Sequence, residues 1–129
     1  MNNINYILEK TKKIYINNKE ILNCSFVEYI EIILLDQLTT FDGRIRATKK
    51  KYNFYKLTPI FISHDICFIP INNTKDFERV YINIYTIIEM QKINKKTLIK
   101  FVDGTSVIIK KEFNCILNNY KRALIIKSL

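Results

Sequence analysis

The chain has little glycine, one histidine and no tryptophan, and these shortages exclude several classes of function. Two glycines, Gly43 and Gly104, cannot build a glycine-rich phosphate-binding loop. His64 stands beside Asp65 in a predicted turn, and a turn histidine is the simplest interpretation of it. Carboxylates for metal-dependent nuclease chemistry would have to come from scattered acids such as Glu28, and their spacing does not support this. The sequence therefore suggests no catalytic, metal or cofactor site, and we expect that the protein is not an enzyme.

Cysteine pairs and long hydrophobic runs are also missing. The odd set of Cys24, Cys67 and Cys115 is widely spaced and has no zinc-ligand pattern. Apolar runs such as Ile32 to Leu35 are far shorter than the roughly 18 to 20 residues of a membrane span. The first residues have neither the charged lead nor the apolar stretch of a signal peptide. We therefore expect a cytoplasmic protein without membrane insertion.

The chain has enough hydrophobic residues to form a core, and it carries an excess of positive charge. Its 129 residues are 48% hydrophobic and 26% charged, which fits one globular domain over residues 1–129. The formal net charge is +9. This balance favours an acidic partner such as nucleic acid.

Much of the positive charge is concentrated in one segment. Between Gly43 and His64 there is no acid, and the cationic residues are Arg44, Arg46, Lys49, Lys50, Lys51 and Lys56. We expect Asp42 to cap a helix from Gly43 to about Tyr55, with Asp42 and Gly43 shaping the turn before Arg44.

One face of this predicted helix is apolar. At helical spacing the stripe consists of Phe41, Ile45, Thr48, Tyr52 and Tyr55. Arg44 and Lys51 flank it on one side and Lys49 on the other, and Arg46 and Lys50 point away. A helix held by one face and basic on the others can lie against a polyanion. The alternative is a solvated, lysine-rich surface helix.

The flanking sequence predicts strands and two further helices. The capping box from Ser25 to Glu28 starts a helix that runs from Phe26 to about Leu38, and a second amphipathic helix closes the chain from Phe113 to Leu124. Asp103-Gly104 predicts a type I′ hairpin. Strands are predicted at Tyr6 to Leu8, Lys13 to Ile16, Ile60 to Ile62, Ile66 to Pro70, Arg79 to Tyr85, Ile87 to Ile93, Leu98 to Val102 and Thr105 to Ile109. The expected fold class is α+β, an antiparallel sheet packed by two or three helices.

A series of short motifs follows the chain from about residue 27 to its end. In order they are Thr40-Phe41-Asp42-Gly43-Arg44, Thr58-Pro59-Ile60, Phe68-Ile69-Pro70, Tyr81-Ile82 and Phe101-Val102-Asp103-Gly104. In order and spacing the chain resembles the competence transcription factor family, the ComK type of low-G/C Gram-positive bacteria. It departs from the family pattern at a Ser-Cys pair, a glycine and a tryptophan, which fall here at Ile33-Leu34, Leu38 and Tyr81.

The resemblance implies an activator of DNA-uptake genes that binds double-stranded DNA. It implies recognition of paired A-tract and T-tract boxes, largely through the minor groove, by a dimer or a pair of dimers. It also implies Clp adaptor proteins as partners, because in the family they recognise the tail beyond the last helix. The tail and the N-terminal region are shorter here, which counts against control by that route and against full activator function.

The residue types fit this implied mode of binding. A-tracts narrow the minor groove and deepen its negative potential, so inserted cations can sense groove width. We assign Arg44 and Arg46 to the groove, because arginine gives up hydration more easily than lysine. The phosphate contacts are assigned to Lys49, Lys50, Lys51 and Lys56.

A second hypothesis is a protein-interaction module. A shortened family member that keeps the dimerising sheet could regulate a longer relative by forming mixed oligomers. Several tyrosines could serve such an interface, although ordinary core and sheet packing also explains them. The candidates are Tyr52, Tyr55, Tyr81, Tyr85 and Tyr120.

Overall fold

A six-stranded antiparallel sheet separates two hydrophobic cores in the computed structural model, which describes residues 4–52, 57–73 and 78–127. This sheet, sheet A, has the strand order β3-β2-β1-β6-β5-β4. Its strands are β1 Tyr6–Lys10, β2 Lys13–Ile16, β3 Glu20–Leu22, β4 Ile60–Ser63, β5 Ile66–Asn73 and β6 Glu78–Asn83.

The other elements cover the two faces of sheet A. On one face pack the helices α1 Phe26–Leu35 and α2 Phe41–Tyr52. On the other pack α3 Phe113–Lys127 and sheet B, formed by β7 Ile87–Ile93, β8 Lys96–Phe101 and β9 Ser106–Ile109. The predicted α+β class with an antiparallel sheet and a C-terminal helix is confirmed. None of the helices in the described part of the chain is long and apolar enough to cross a membrane.

Side-chain alternation along the central strands fills both cores. Ile7 on β1 faces Tyr81 on β6, and both enter the core beneath the helices α1 and α2. Their neighbours Tyr6 and Ile82 pair in the same way and enter the second core. Because both faces of these strands are covered, consecutive residues are apolar where the two cores meet them, at Tyr6 and Ile7 on β1 and from Val80 to Ile82 on β6.

The hairpin between β8 and β9 forms, but its turn is not type I′. Type I′ needs a positive φ at both central residues, and here Gly104 has a φ of 90° while Asp103 is not in the left-handed region. The amide of Gly104 instead donates to the carbonyl of Phe101 at 3.0 Å, a type I turn followed by a left-handed glycine. The pKa of Asp103 lies below its usual value because the hydroxyl and amide of Thr105, and then the side chain of Asn5, donate hydrogen bonds to its carboxylate.

Two residue pairs with consecutive positive φ connect the N-terminal strands. Asn17 and Asn18, at 54° and 56°, join β2 to β3, where asparagine suits the left-handed region. Thr11 and Lys12, at 44° and 62°, join β1 to β2. The turn at Asn17 and Asn18 was predictable, whereas a β-branched threonine at positive φ gave no turn signal.

The buried side chain of Asn83 makes four hydrogen bonds that join three parts of the fold, and the residue is 1% exposed. Its Nδ2 donates to the carbonyls of Ile4 (2.8 Å) and Asp65 (3.1 Å). Its Oδ1 accepts from the amides of Cys67 (3.1 Å) and Tyr85 (3.2 Å). The amide thus ties the chain before β1, the β4–β5 turn and the end of β6 together.

Helix α1 begins as predicted and ends three residues earlier than predicted. The capping box is present, with the Ser25 hydroxyl accepting from the Glu28 amide at 3.1 Å. At the other end, Thr39 N–H donates to Leu34 and Leu38 N–H donates to Leu35, at 3.2 and 3.0 Å. These two bonds define a Schellman motif with Leu38 at its left-handed position, at a φ of 57°. Glycine normally occupies that position, because any Cβ there costs about 1–2 kcal/mol.

Leu38→Gly is expected to stabilise the protein. The substitution relieves the left-handed strain at a side chain that is 95% exposed and therefore loses little packing. We expect the free energy of unfolding to rise by about 0.5–1 kcal/mol, since the added freedom of the unfolded chain cancels part of the gain. Urea denaturation measures the change. Leu38→Ala is the matched control, and an equal gain from alanine would contradict the strain argument.

Asn83→Asp is expected to destabilise the fold strongly and in a pH-dependent way. The new carboxylate would face two carbonyl oxygens, so we expect a loss of about 3 kcal/mol or more in the free energy of unfolding near neutral pH. The buried carboxyl would have a raised pKa, so the loss should shrink as the pH falls and the group regains a proton to donate. Asn118→Asp, on the exposed side of α3, is the control. A loss that does not change between neutral and acidic pH would refute the hydrogen-bond argument.

Candidate nucleic-acid interface

The start of α2 is fixed by two hydrogen bonds from outside the helix. The Thr40 hydroxyl accepts from the Gly43 amide at 3.0 Å, which makes Thr40 the N-cap. Glu31 on α1 reaches across and accepts from the Phe41 amide at 2.8 Å. Two of the free amides at this helix start are therefore satisfied, and one of these bonds comes from the neighbouring helix.

The prediction that Asp42 caps this helix and that Asp42 and Gly43 shape a turn is wrong. The helix starts at Phe41, so Asp42 lies in its first turn, where a carboxylate interacts favourably with the helix dipole. Gly43 is helical rather than part of a turn, and a Cβ there would lie 3.0 Å from the Thr40 hydroxyl. The lack of a side chain at Gly43 therefore leaves room for the capping hydroxyl of Thr40. The threonine pair before Phe41 was the signal that could have identified the N-cap.

The inner face of α2 packs against the core that α1 shares with sheet A. Phe41 meets Phe26 edge to face at a centroid distance of 6.4 Å, and Ile45 packs on the same core. Thr48 is buried, and its hydroxyl donates to the carbonyl of Arg44 at 2.9 Å. The predicted apolar stripe is confirmed for these residues and for the half-buried Tyr52. Tyr55 lies outside the described residues.

Arg44 is held against the protein rather than projecting from it. Its guanidinium donates to the side-chain oxygen of Gln37, and Gln37 in turn donates to the carbonyl of Ile62 on β4 at 2.8 Å. Arg44 is half-buried, and within the described residues its Nε has no hydrogen-bond acceptor. Gln37, which the sequence did not single out, therefore positions this arginine.

The remaining cations of α2 form an exposed surface, which we call the α2 basic ridge. It consists of Arg46, Lys49, Lys50 and Lys51, all exposed. Lys51 also places its ammonium 5.5 Å from the centre of the Tyr52 ring, a cation–π contact. The lysines lie in the last turn, where positive charge favours the helix dipole. Lys56, the sixth predicted cation, lies outside the described residues.

The described residues, 4–52, 57–73 and 78–127, hold no group of His, Cys, Asp and Glu side chains that would suit a bound metal ion. His64 is exposed in the β4–β5 turn, as predicted, with its ring edge against Phe61 at 5.8 Å. The α2 basic ridge is therefore the candidate functional site.

Comparison with protein families agrees with the motifs along the chain. The family model described as ComK protein matches residues 4–129, which adds the N-terminal strands to the region covered by the motifs. No curated protein and no solved structure gave a match. The match covers essentially the whole chain, and the protein therefore belongs to the ComK protein family, a family of DNA-binding transcription factors of competence.

Proposed function

We propose that the protein is a sequence-preferring transcriptional activator of DNA-uptake genes that reads A/T-rich paired boxes through the minor groove. The observation that carries this proposal is the α2 basic ridge, cationic side chains on a helix whose other face is packed on the core. Because the packed face already fixes the helix backbone, only the cationic side chains have to become ordered when the helix meets a polyanion. Action in the cytoplasm, as a dimer or a pair of dimers, is part of the proposal.

Within this proposal, the two arginines have different roles. Arg46 is exposed and can enter the groove without breaking any hydrogen bond seen in the structure. Arg44 would first have to leave Gln37, so in the bound state it either exchanges that partner for DNA or braces the start of α2. Lys49, Lys50 and Lys51 contact phosphates, which position the helix and carry little sequence information. Lys56 is assigned to a phosphate on sequence grounds.

DNA binding is tested by measuring the affinity of the protein for two short duplexes at a series of salt concentrations. Fluorescence anisotropy is the readout. One duplex carries spaced A-tracts and T-tracts, and the other is G/C-rich. If all six cationic residues of the segment displace counterions from the DNA, we expect log affinity to fall with log salt at a slope of roughly −5. We also expect tighter binding to the A/T duplex. A steep slope with equal affinity for the A/T and G/C duplexes would mean that the ridge binds DNA through its charge alone and does not recognise sequence. If the protein does not bind DNA near physiological salt, the activator hypothesis is rejected. The protein-interaction module is then the remaining hypothesis.

The separation of groove and phosphate contacts is tested by two variants of α2. Arg46→Ala should lower the ratio of A/T to G/C affinity by about tenfold, equivalent to about 1.4 kcal/mol of recognition. Lys49→Ala combined with Lys50→Ala should keep the ratio and reduce the salt slope by about 0.9 per lysine. Lys121→Ala, an exposed lysine on α3, is the charge-matched control. Equal loss of preference in all three proteins would contradict the assignment of Arg46.

A further inference from the structure

Lysines from all three strands of sheet B gather at one end of that sheet. Lys92 is the penultimate residue of β7, Lys96 is the first residue of β8, and Lys95 precedes it in the connecting turn. Lys110 and Lys111 follow the last residue of β9. Because neighbouring strands are antiparallel, the end of β7, the start of β8 and the end of β9 lie side by side. We call these five lysines the sheet B lysine cluster.

The strand register places like charges next to each other in this cluster. Thr97 pairs with Ile109, so Lys96 and Lys110, one residue further along each strand, are cross-strand neighbours. Like charges directly opposite each other destabilise a sheet, so stability does not favour this arrangement. Two surface depressions also meet here, and Lys95 lines both of them. The cluster is therefore one continuous basic surface around the end of sheet B.

Few acids balance this charge. Between residues 90 and 112 the only acid is Asp103, and it lies in the β8–β9 turn at the opposite end of the sheet. Glu89 is engaged by Lys100, with Nζ and Oε2 3.6 Å apart. Glu112, at the start of α3, is the one acid that lines a depression with the cluster. Five lysines beside one glutamate create a positive potential that attracts a polyanion.

Hydrogen bonds fix the backbone beneath the cluster. Thr97 is fully buried, and its hydroxyl donates to the carbonyl of Lys111 at 2.9 Å. The amide of Lys111 donates to the carbonyl of Ile109 at 2.8 Å. These two bonds tie the chain after β9 to β8, just before α3 begins. As on the α2 basic ridge, only the lysine side chains have to become ordered when a polyanion binds.

The cluster and the α2 basic ridge lie in different layers of the fold. Helix α2 packs on one face of sheet A, and sheet B packs on the other. Stacked layers lie about 10 Å apart, so roughly 20 Å separates α2 from sheet B. A short duplex is stiff, because the persistence length of DNA is about 150 base pairs. A duplex that lies along the ridge therefore does not bend round the protein to reach the cluster.

We propose that the sheet B lysine cluster binds the phosphate backbone of a second DNA segment while the α2 basic ridge holds the first. This inference rests on the proposed function, because it takes the ridge as the surface that binds the first segment. The cluster consists of lysines, which act on phosphate as point charges and lack the planar fork that arginine offers to base edges. The second segment is therefore held without regard to its sequence, and one copy of the protein brings two stretches of DNA together.

The test measures the capture of a second duplex by a protein–DNA complex on beads. The A/T duplex is fixed to the beads and loaded with protein, and a fluorescent G/C duplex is then added in solution. The cluster variant combines Lys95→Glu with Lys110→Glu. The charge-matched control combines Lys13→Glu with Lys121→Glu, which replace exposed lysines outside the cluster and the ridge.

The cluster variant should bind the A/T duplex as the unsubstituted chain does and capture the G/C duplex at least about tenfold less well. The control should capture it nearly as well as the unsubstituted chain. Unchanged capture by the cluster variant would mean that the ridges of two copies hold the two duplexes, and this result would overturn the proposal. An equal loss in the control, or a chain that binds the A/T duplex and captures no second one, would overturn it too.

Failure of the proposed function gives a different result. A chain that does not bind the A/T duplex rejects the function of the ridge, and the cluster is then measured alone by anisotropy with the G/C duplex. Salt-dependent binding that the cluster variant loses and the control keeps would still support the cluster as a phosphate-binding surface, and equal binding by both variants would reject it. Circular dichroism melts verify folding, and Lys95→Ala with Lys110→Ala replaces the glutamate pair if that variant unfolds.

Discussion

The contact between Phe26 and Tyr81 is the interaction on which the arrangement of helices and sheet depends. The two rings stack at a centroid distance of 3.5 Å with an interplanar angle of 3°, and Phe26 also meets the edges of Phe68 and Phe41. Phe26 is the first residue of α1, and its amide donates to a Glu9 carboxylate oxygen at 2.7 Å. One residue thus joins the sheet, both helices of that layer and β1. The burial and low dielectric around Tyr81 raise the pKa of its phenol.

Contacts with α1 help to determine the position of α2, which carries the candidate DNA-binding surface. Phe41 reaches the core through the Phe26 ring, and Glu31 of α1 satisfies the first amide of α2. Helix α2 also contacts β4, and Ile45 packs on the shared core, so the orientation of the α2 basic ridge follows from α1 and sheet A together. The family to which the chain belongs is one of DNA-binding transcription factors, and in such proteins the angle of a surface helix decides which groove it can enter.

Local sequence signals predicted those elements whose chemistry is complete within a few residues. The capping box at Ser25 and the strand predicted around β6 needed no information from elsewhere in the chain. The features that the sequence did not predict depend on contacts between separate elements. Thr11 and Lys12 adopt a left-handed turn because the pairing of β1 with β2 leaves two residues for the connection, and intrinsic preference is overridden.

The candidate site shows the same division. The cationic side chains and the apolar stripe of α2 were visible in the sequence, because helical spacing places them without further knowledge. The partner of Arg44 was not, since Gln37 comes from the turn after α1 and is itself held by a carbonyl of β4. No spacing rule links residues on different elements. The sequence could therefore identify the cationic residues of the site. It could not show that one of them, Arg44, is hydrogen-bonded to Gln37.

The pairing of β1 with β6 also governs the order in which the protein can fold. Tyr6 lies opposite Ile82, so the first and the sixth strands must meet across most of the chain before sheet A is complete. Loop closure over such a separation is slow compared with the formation of a helix or a local hairpin. During synthesis the N-terminal hairpin and α1 leave the ribosome well before β6 exists, with their apolar faces uncovered. In that interval the exposed apolar surface makes the nascent chain more prone to aggregation than the folded protein.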